Sequence, residues 1–408
     1  MNILVIGNGF DLAHGLPTTY SDFLKFFEII MNIEFFIGDK KMFKEKYLDC
    51  YQAPSYVREY VENAFDTRNI ELGLFDTCDN AHNTNSSVQE MHDYLKDNIW
   101  YDYLLDIFNQ KQMKGINWID FESEISLIIE QIDKFQENLY MPFDITATDE
   151  NEKLGIFLSK LDLKRFMSHK IESSVYGPTY RDFLDKSYGD LRKFVRCMEL
   201  YLSECVEKCH INRKSQDVAW HTIDAVLCFN YTHTFIKMYG KICKCKIHYI
   251  HGDVNDADYN MNANNMVLGI DEYYDLDERN KHTNYNIYKK FTQRILNNTG
   301  FLYRDWISQM DENTREFQES ISSKDVEKLV NNVYIFGHSL DVTDKDVIKD
   351  LIDRKGVKTT IYYFDKQQQT QQIANLVKML GQEKFIDMIN SVPQKICFVQ
   401  QQPMKDIG

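Results

Sequence analysis

The chain has 408 residues, of which 43% are hydrophobic and 13% aromatic, and its formal net charge at pH 7 is −15. This apolar content excludes a disordered chain, and the length accommodates two or three domains, or one domain with a large insertion. The negative charge disfavours nucleic acid and anionic membranes as partners, although glycines and helix N-termini can still bind a small anionic ligand locally.

No apolar segment approaches the length of a membrane span, and the residues after Met1 resemble a strand and not a signal peptide, so we expect a cytoplasmic protein. The nine cysteines are irregularly spaced, which indicates reduced thiols. Cys205 and Cys209 form a Cys-x3-Cys pair, and Cys243 and Cys245 a Cys-x-Cys pair. Because these spacings differ from the usual zinc motifs, we predict no metal site.

The first predicted element is a strand that runs directly into a glycine turn. Ile3 to Ile6 are four β-favouring apolar residues, followed by Gly7-Asn8-Gly9-Phe10-Asp11. Glycines here can take positive φ and admit a phosphate, and the helix expected near Asp11 offers N–H groups to an anion. The dinucleotide fingerprint is incomplete, because Leu12 replaces its third glycine. The turn predicts a nucleotide site, and a tight turn without a ligand is the alternative.

A long region without a second run of buried strands follows the first turn. Stretches with helical periodicity occupy residues 87–110, 117–139, 152–169 and 188–212. Because a structureless connection of this size is uncommon within a domain, we predict a mostly helical insertion over residues 36–215. The insertion would divide a discontinuous nucleotide-binding domain into residues 1–35 and 216–408.

Strand-like runs return after residue 220, and most of them end in glycine and polar residues. The runs end at Asn230-Tyr231-Thr232, His251-Gly252, Gly269 and Gly337-His338-Ser339-Leu340-Asp341, and two further runs cover residues 359–364 and 396–399. Parallel strands deliver such residues to a crevice at their carboxyl ends, so the pattern predicts an α/β fold with a parallel sheet and a ligand site. Asp341 and Asp344 could each reach the crevice or cap the next helix.

Taken together, these motifs resemble the AbiH family of bacteriophage abortive-infection proteins. Trp118-Ile119-Asp120-Phe121-Glu122 also fits that family, and the resemblance runs to about residue 345. The order of the glycine turn, Asn-Tyr and His-Gly is further similar to sirtuin-like domains of anti-phage systems, although Thr232 stands where those domains have aspartate.

The resemblance implies a Rossmann-like (sirtuin-like) parallel sheet and a role in phage defence. It implies NAD or a related nucleotide as substrate or ligand, with no further cofactor required. A phage or host protein is the expected trigger, and self-association of the chain is left open.

Cleavage of a nicotinamide–ribose bond builds positive charge on the sugar while a neutral pyridine leaves, so the site needs positioning groups and a base. Asn230 is the candidate that holds ribose or water, and His251 is the candidate base. The remaining candidates are expected to bind the nucleotide: Gly7, Asn8, Gly9, Phe10, Asp11, Tyr231, Gly252, Gly269, Gly337, Ser339 and Asp341.

Other interpretations of these residues stay open. Asn230 can cap a helix and His251 can stabilise a turn, in which case the protein is a non-catalytic nucleotide-sensing or protein-interaction module. Ser339 with His338 or His251 would instead indicate a hydrolase. Asp120 and Glu124 share a helical face and allow a paired-carboxylate site, but a solvated helix face is the more common outcome.

Overall fold

The computed structural model describes residues 1–74, 85–135, 152–160, 180–254, 264–271, 285–320 and 329–407. The chain divides into two units. The sheet unit consists of Met1–Thr18, His210–Val254 and Arg294–Gly408, and the helical unit consists of Thr19–Cys209 and Asn255–Gln293.

The sheet unit is built on six parallel strands: β1 Asn2–Ile6, β2 Ala225–Cys228, β3 Lys246–Tyr249, β4 Asn331–Phe336, β5 Val357–Tyr363 and β6 Ile396–Gln400. Their order is β3-β2-β1-β4-β5-β6. Ile3 of β1 pairs with Ala225 on one side and with Val333 on the other. The predicted parallel sheet is confirmed. The order reverses direction at β1, so the carboxyl ends of β1 and β4 lie side by side.

The helices in chain order are α1 Asn8–Ala13, α2 Tyr20–Asn32, α3 Lys40–Phe43, α4 Ser55–Glu71, α5 Asn85–Leu95, α6 Ile99–Met113, α7 Phe121–Phe135, α8 Glu152–Ser159, α9 Tyr180–Glu204, α10 Thr234–Tyr239, α11 Lys290–Leu296, α12 Tyr303–Ser320, α13 Lys345–Ile352, α14 Lys366–Leu380 and α15 Gln382–Asn390. Across the described residues, none of the helices is both long and apolar enough to cross a bilayer.

Apolar cores cover both faces of the sheet. Ile3 and Val5 point into a core completed by α12, α13, α14 and α15, while Leu4 and Ile6 point into a core completed by α1 and α10. Both faces are therefore buried at the centre of the sheet, which is why Ile3 to Ile6 of β1 and Ala225 to Cys228 of β2 are continuous apolar runs without polar alternation.

The helical unit begins at Thr19, because α2 packs within it. Phe23 and Phe26 of α2 place their rings 4.9 and 4.6 Å from that of Tyr201 in α9. The predicted boundaries lie near residues 35 and 215, whereas the structure divides the chain after Thr18 and Cys209 and adds Asn255–Gln293 to the helical unit. The helical stretch predicted over residues 87–110 is two helices, because the Asn98 side chain caps α6 by accepting the Trp100 and Tyr101 N–H groups.

The strand predicted at residues 266–268 is wrong. Residues 266–268 belong to the helical unit and lie in no strand, and two positions further on Ile270 makes a bridge to Lys289. The Ile270 N–H donates to the Tyr288 carbonyl at 2.9 Å, and the Ile270 carbonyl accepts from the Lys290 N–H at 2.8 Å. The apolar run therefore ends in a local pairing and adds no strand to the sheet.

Candidate functional site

The glycine turn after β1 packs directly on the turn after β4. The Gly9 N–H donates to the Gly337 carbonyl at 2.7 Å. A Cβ on Gly7 would lie 2.8 Å from the His338 Cα, and a Cβ on Gly9 would lie 2.8 Å from the Gly337 Cα. The expected positive φ is wrong for both residues, because Gly7 is extended and Gly9 lies within α1. Their missing side chains allow two backbone segments to approach each other.

The side chains of this turn have different environments. Asn8 is exposed and accepts a hydrogen bond from the Thr18 hydroxyl at 2.6 Å. Phe10 is fully buried and supports the turn from the core. The buried Asp11 carboxylate accepts from the Thr232 hydroxyl at 2.6 Å. Thr232 thus ties the turn after β2 to the turn after β1.

Asn230 follows β2 and is only 6% exposed. Its amide nitrogen makes no hydrogen bond with any residue that the structure describes. A buried donor without a partner costs about 1–3 kcal/mol, so such groups are usually completed by water or a ligand. This amide is the clearest sign that a polar molecule belongs at this edge of the sheet.

The turns after β2 and β3 are joined through their backbones. The Val254 N–H donates to the Tyr231 carbonyl at 2.8 Å, and the Gly252 N–H donates to the Tyr249 carbonyl at 3.1 Å. Gly252 takes a φ of 77°, a left-handed conformation that glycine adopts without strain. This turn holds His251 at the carboxyl end of β3.

His251 belongs to a buried polar group that we call the His–Asp–Arg cluster, formed by His251, His338, Asp344 and Arg294. The His251 Nε2 lies 3.2 Å from Asp344 Oδ1 and 3.3 Å from Arg294 Nη2, and His338 Nε2 lies 3.5 Å from Asp344 Oδ2. All four side chains are less than a tenth exposed. The ring of Phe229 packs edge-on against both imidazoles.

The hydrogen bonds of His338 define its neutral tautomer. The Leu340 N–H donates to His338 Nδ1 at 2.9 Å, so the ring proton is on Nε2 and faces Asp344. Leu340 itself takes a φ of 59°, which is unusual for a branched, fully buried residue. The loop after β4, which carries His338 and Asp344, therefore contains a strained, left-handed residue.

Asp341 and Asp344 follow β4, and the sequence allowed either carboxylate to reach the crevice or to cap the next helix. Asp341 caps the turn before α13, where its Oδ1 accepts the Thr343 N–H at 3.0 Å. Asp344 reaches the imidazoles. Ser339 is exposed, and its hydroxyl accepts the Asp341 N–H at 3.3 Å. Within the described ranges Ser339 has no hydrogen bond to an imidazole, so the geometry of a serine hydrolase is missing.

Arg294 is a member of the cluster that no sequence motif indicates. Its guanidinium is 1% exposed and donates to Asp346 Oδ2 at 2.9 Å while approaching Asp344 Oδ1 at 3.9 Å. It lies in the short helix α11, outside every motif and far along the chain from its partners. No local pattern distinguishes it from a surface arginine.

Two groups suggested by the sequence lie in the helical unit. Gly269 is needed for packing, because a Cβ there would lie 2.4 Å from the Tyr288 carbonyl oxygen. Asp120 caps α7, and Glu124 is 5% exposed and paired with Lys111 and Lys153 at 2.9 and 2.6 Å. The expected solvated helix face is therefore wrong for Glu124, because its carboxylate is buried between two ammonium groups.

Comparison with known proteins adds one finding. No curated protein and no solved structure matches the chain significantly. The family model described as "Bacteriophage abortive infection AbiH" matches residues 3–365, which include β1 to β5, the glycine turn and the His–Asp–Arg cluster. The match covers most of the 408 residues, and the chain belongs to the bacteriophage abortive infection AbiH family.

Proposed function

We propose that the protein acts in abortive infection against bacteriophage by binding NAD or a related nucleotide and hydrolysing its N-glycosidic bond. In this proposal the sheet unit is a Rossmann-like, sirtuin-like domain. The strand order supports it, because numbering the strands along the chain gives 3-2-1-4-5-6, the usual order of dinucleotide-binding sheets. Ligands of such sheets bind at the carboxyl ends of the strands.

The observation that carries the proposal is the buried amide nitrogen of Asn230, which has no hydrogen-bond partner among the described residues and lies at the same sheet edge as His251. An amide can hold a ribose hydroxyl or a water molecule as donor and acceptor. In hydrolysis the water oxygen bonds to ribose C1′, the C1′–N bond breaks with its electron pair left on the pyridine nitrogen, and the water proton passes to His251. Asn230 would position the water or the ribose.

A non-catalytic nucleotide-sensing module is the second candidate, and another observation favours it. The His251 Nε2 is engaged by Asp344 and Arg294, and the ring is buried. A ligand that displaces these contacts would rearrange the loop after β4 without any chemical step. A phage or host protein could then read the new conformation.

Purified protein incubated with NAD provides the test, with nicotinamide release and calorimetric binding measured in parallel. Asn230→Ala and His251→Ala should each reduce turnover by about 10²-fold or more, with binding less affected. Asn332→Ala is the matched control, because Asn332 is the second residue of β4, at the opposite end of the strands, where its amide donates a hydrogen bond to the Asn2 side chain. Melting curves verify that each variant folds.

The two candidates give different results. If the protein is an enzyme, the wild type releases nicotinamide and both variants lose phage defence. If wild type binds NAD, releases nothing, and both variants still stop phage, catalysis is refuted. Mass spectrometry of nucleotide pools after induction in cells identifies the nucleotide that is consumed.

A further inference from the structure

The carboxylate of Asp344 contacts two imidazoles through separate oxygens. Oδ1 faces His251 Nε2 at 3.2 Å, and Oδ2 faces His338 Nε2 at 3.5 Å. His251 lies in the turn after β3, whereas His338 and Asp344 lie in the loop after β4. The carboxylate and both rings are buried. An ionised carboxylate buried in this way requires donors on both oxygens.

We propose that Asp344 is the positioning residue of His251, holding its Nε2–H so that the lone pair of the neutral ring is on Nδ1. This inference rests on the proposed function in one respect, namely that His251 is the proton acceptor. A carboxylate behind an imidazole fixes its tautomer and stabilises the imidazolium that forms when the other nitrogen takes a proton. Asp344 would do this for His251.

Arg294 and Asp344 both contact the Nε2 of His251, and they favour different protonation of that nitrogen. The Arg294 Nη2 lies 3.3 Å from His251 Nε2, and a guanidinium can only donate. A proton on Nε2 therefore favours the Asp344 contact, whereas a lone pair there favours the Arg294 contact. Asp346 holds the other side of the guanidinium at 2.9 Å, so Arg294 keeps a carboxylate partner in either state.

The surroundings keep Asp344 in place. The Nδ1 of His338 accepts the Leu340 N–H, which leaves the Nε2 proton on the side of Asp344 Oδ2, 3.5 Å away, and Asp344 is the N-cap residue of α13. Leu340 lies between His338 and Asp344 and has a left-handed backbone with a φ of 59°, a strained conformation that is found in loops presenting functional groups. Among the described residues, Asp344 and Arg294 are charged groups that contact the His251 ring, and His338 and Asp346 contact these two in turn.

Asp344→Asn tests the inference by two readouts. The pKa of His251, followed by NMR in protein with isotope-labelled histidine and identified by its loss in His251→Gln, should fall by about one unit or more, because the anion is removed while Arg294 stays. The acid limb of the kcat/KM profile for nicotinamide release should move to lower pH by the same amount. Asp353→Asn is the control, because it removes a carboxylate at the other end of α13.

The NMR titration needs no substrate, so the two proposals fail separately. A lowered pKa in protein that releases no nicotinamide supports the positioning role and refutes only the catalytic function. An unchanged His251 pKa and pH profile in Asp344→Asn overturns the positioning role even if the wild type is an active enzyme. If Asp344→Asn does not fold, Arg294→Met should raise the His251 pKa, and no rise overturns the inference.

Discussion

Gly337 is the position where one added methyl group should most disturb the sheet unit. Its φ is 70°, and a Cβ would lie 2.1 Å from the Phe10 nitrogen and 2.5 Å from the Gly9 carbonyl carbon. The left-handed backbone costs a non-glycine residue about 1 kcal/mol. Separating two backbone segments adds about 2–3 kcal/mol, as for overpacked cores. Gly337→Ala should therefore lower the free energy of unfolding by about 3–4 kcal/mol.

Urea unfolding followed by tryptophan fluorescence measures this loss, since Trp220 and Trp306 lie in the sheet unit. Gly300→Ala is the matched control: its φ is 79°, and its Cβ would meet nothing within 4 Å. The control should lose about 1 kcal/mol, the left-handed cost alone. Equal losses in the two variants would refute the close packing of the turns after β1 and β4.

Two further predictions concern buried ionisable groups. His14 donates from Nδ1 to the Phe10 carbonyl at 2.7 Å and contacts the Tyr239 hydroxyl at 3.0 Å, and burial lowers its pKa below the ordinary 6.5. The stability that the neutral His14 ring contributes is complete above pH 6.5 and is lost as the pH falls below that value. Between about pH 7.5 and pH 5, the free energy of unfolding should therefore decline less steeply in His14→Gln than in wild type. Glu124→Gln should lower the free energy of unfolding by about 1–2 kcal/mol in urea, because two partly exposed lysines lose their carboxylate partner. Glu45→Gln removes an exposed carboxylate and is the control. A loss in Glu124→Gln no larger than in the control would contradict the buried pairing.

The strands and their carboxyl-end residues were predictable because burial on both faces leaves a strong local signal. Runs such as Ile3 to Ile6 cannot alternate with polar residues between two layers of helices. Met266 to Leu268 are also consecutive apolar residues, but a run of three does not distinguish a strand of the sheet from a local pairing. Its partner at Lys289 is not visible in the sequence.

The candidate site was predictable only where motifs end strands. His251 and Asn230 follow β3 and β2, so their shared sheet edge follows from a parallel arrangement. The sequence predicted glycines with positive φ at Gly7 and Gly9, but not the close packing against His338 and Gly337, because that packing depends on which strand neighbours β1. Arg294 could not be found, since its contacts with Asp344 and Asp346 arise from tertiary structure alone.

The position of β1 at the centre of the sheet has a consequence during synthesis. Hydrogen bonds link Asn2 to Asp224 and to Asn332, which lie 222 and 330 positions further along the chain. At translation rates of about 5–20 residues per second, roughly 15–65 seconds pass before β4 can pair with β1. Throughout that interval the apolar residues Ile3 to Ile6 lack one of their two flanking strands, although the helical unit, which ends at Gln293, is synthesised before β4. The nascent chain therefore carries a hydrophobic strand with one unpaired edge, and we expect its yield in cells to depend on chaperones that bind such segments.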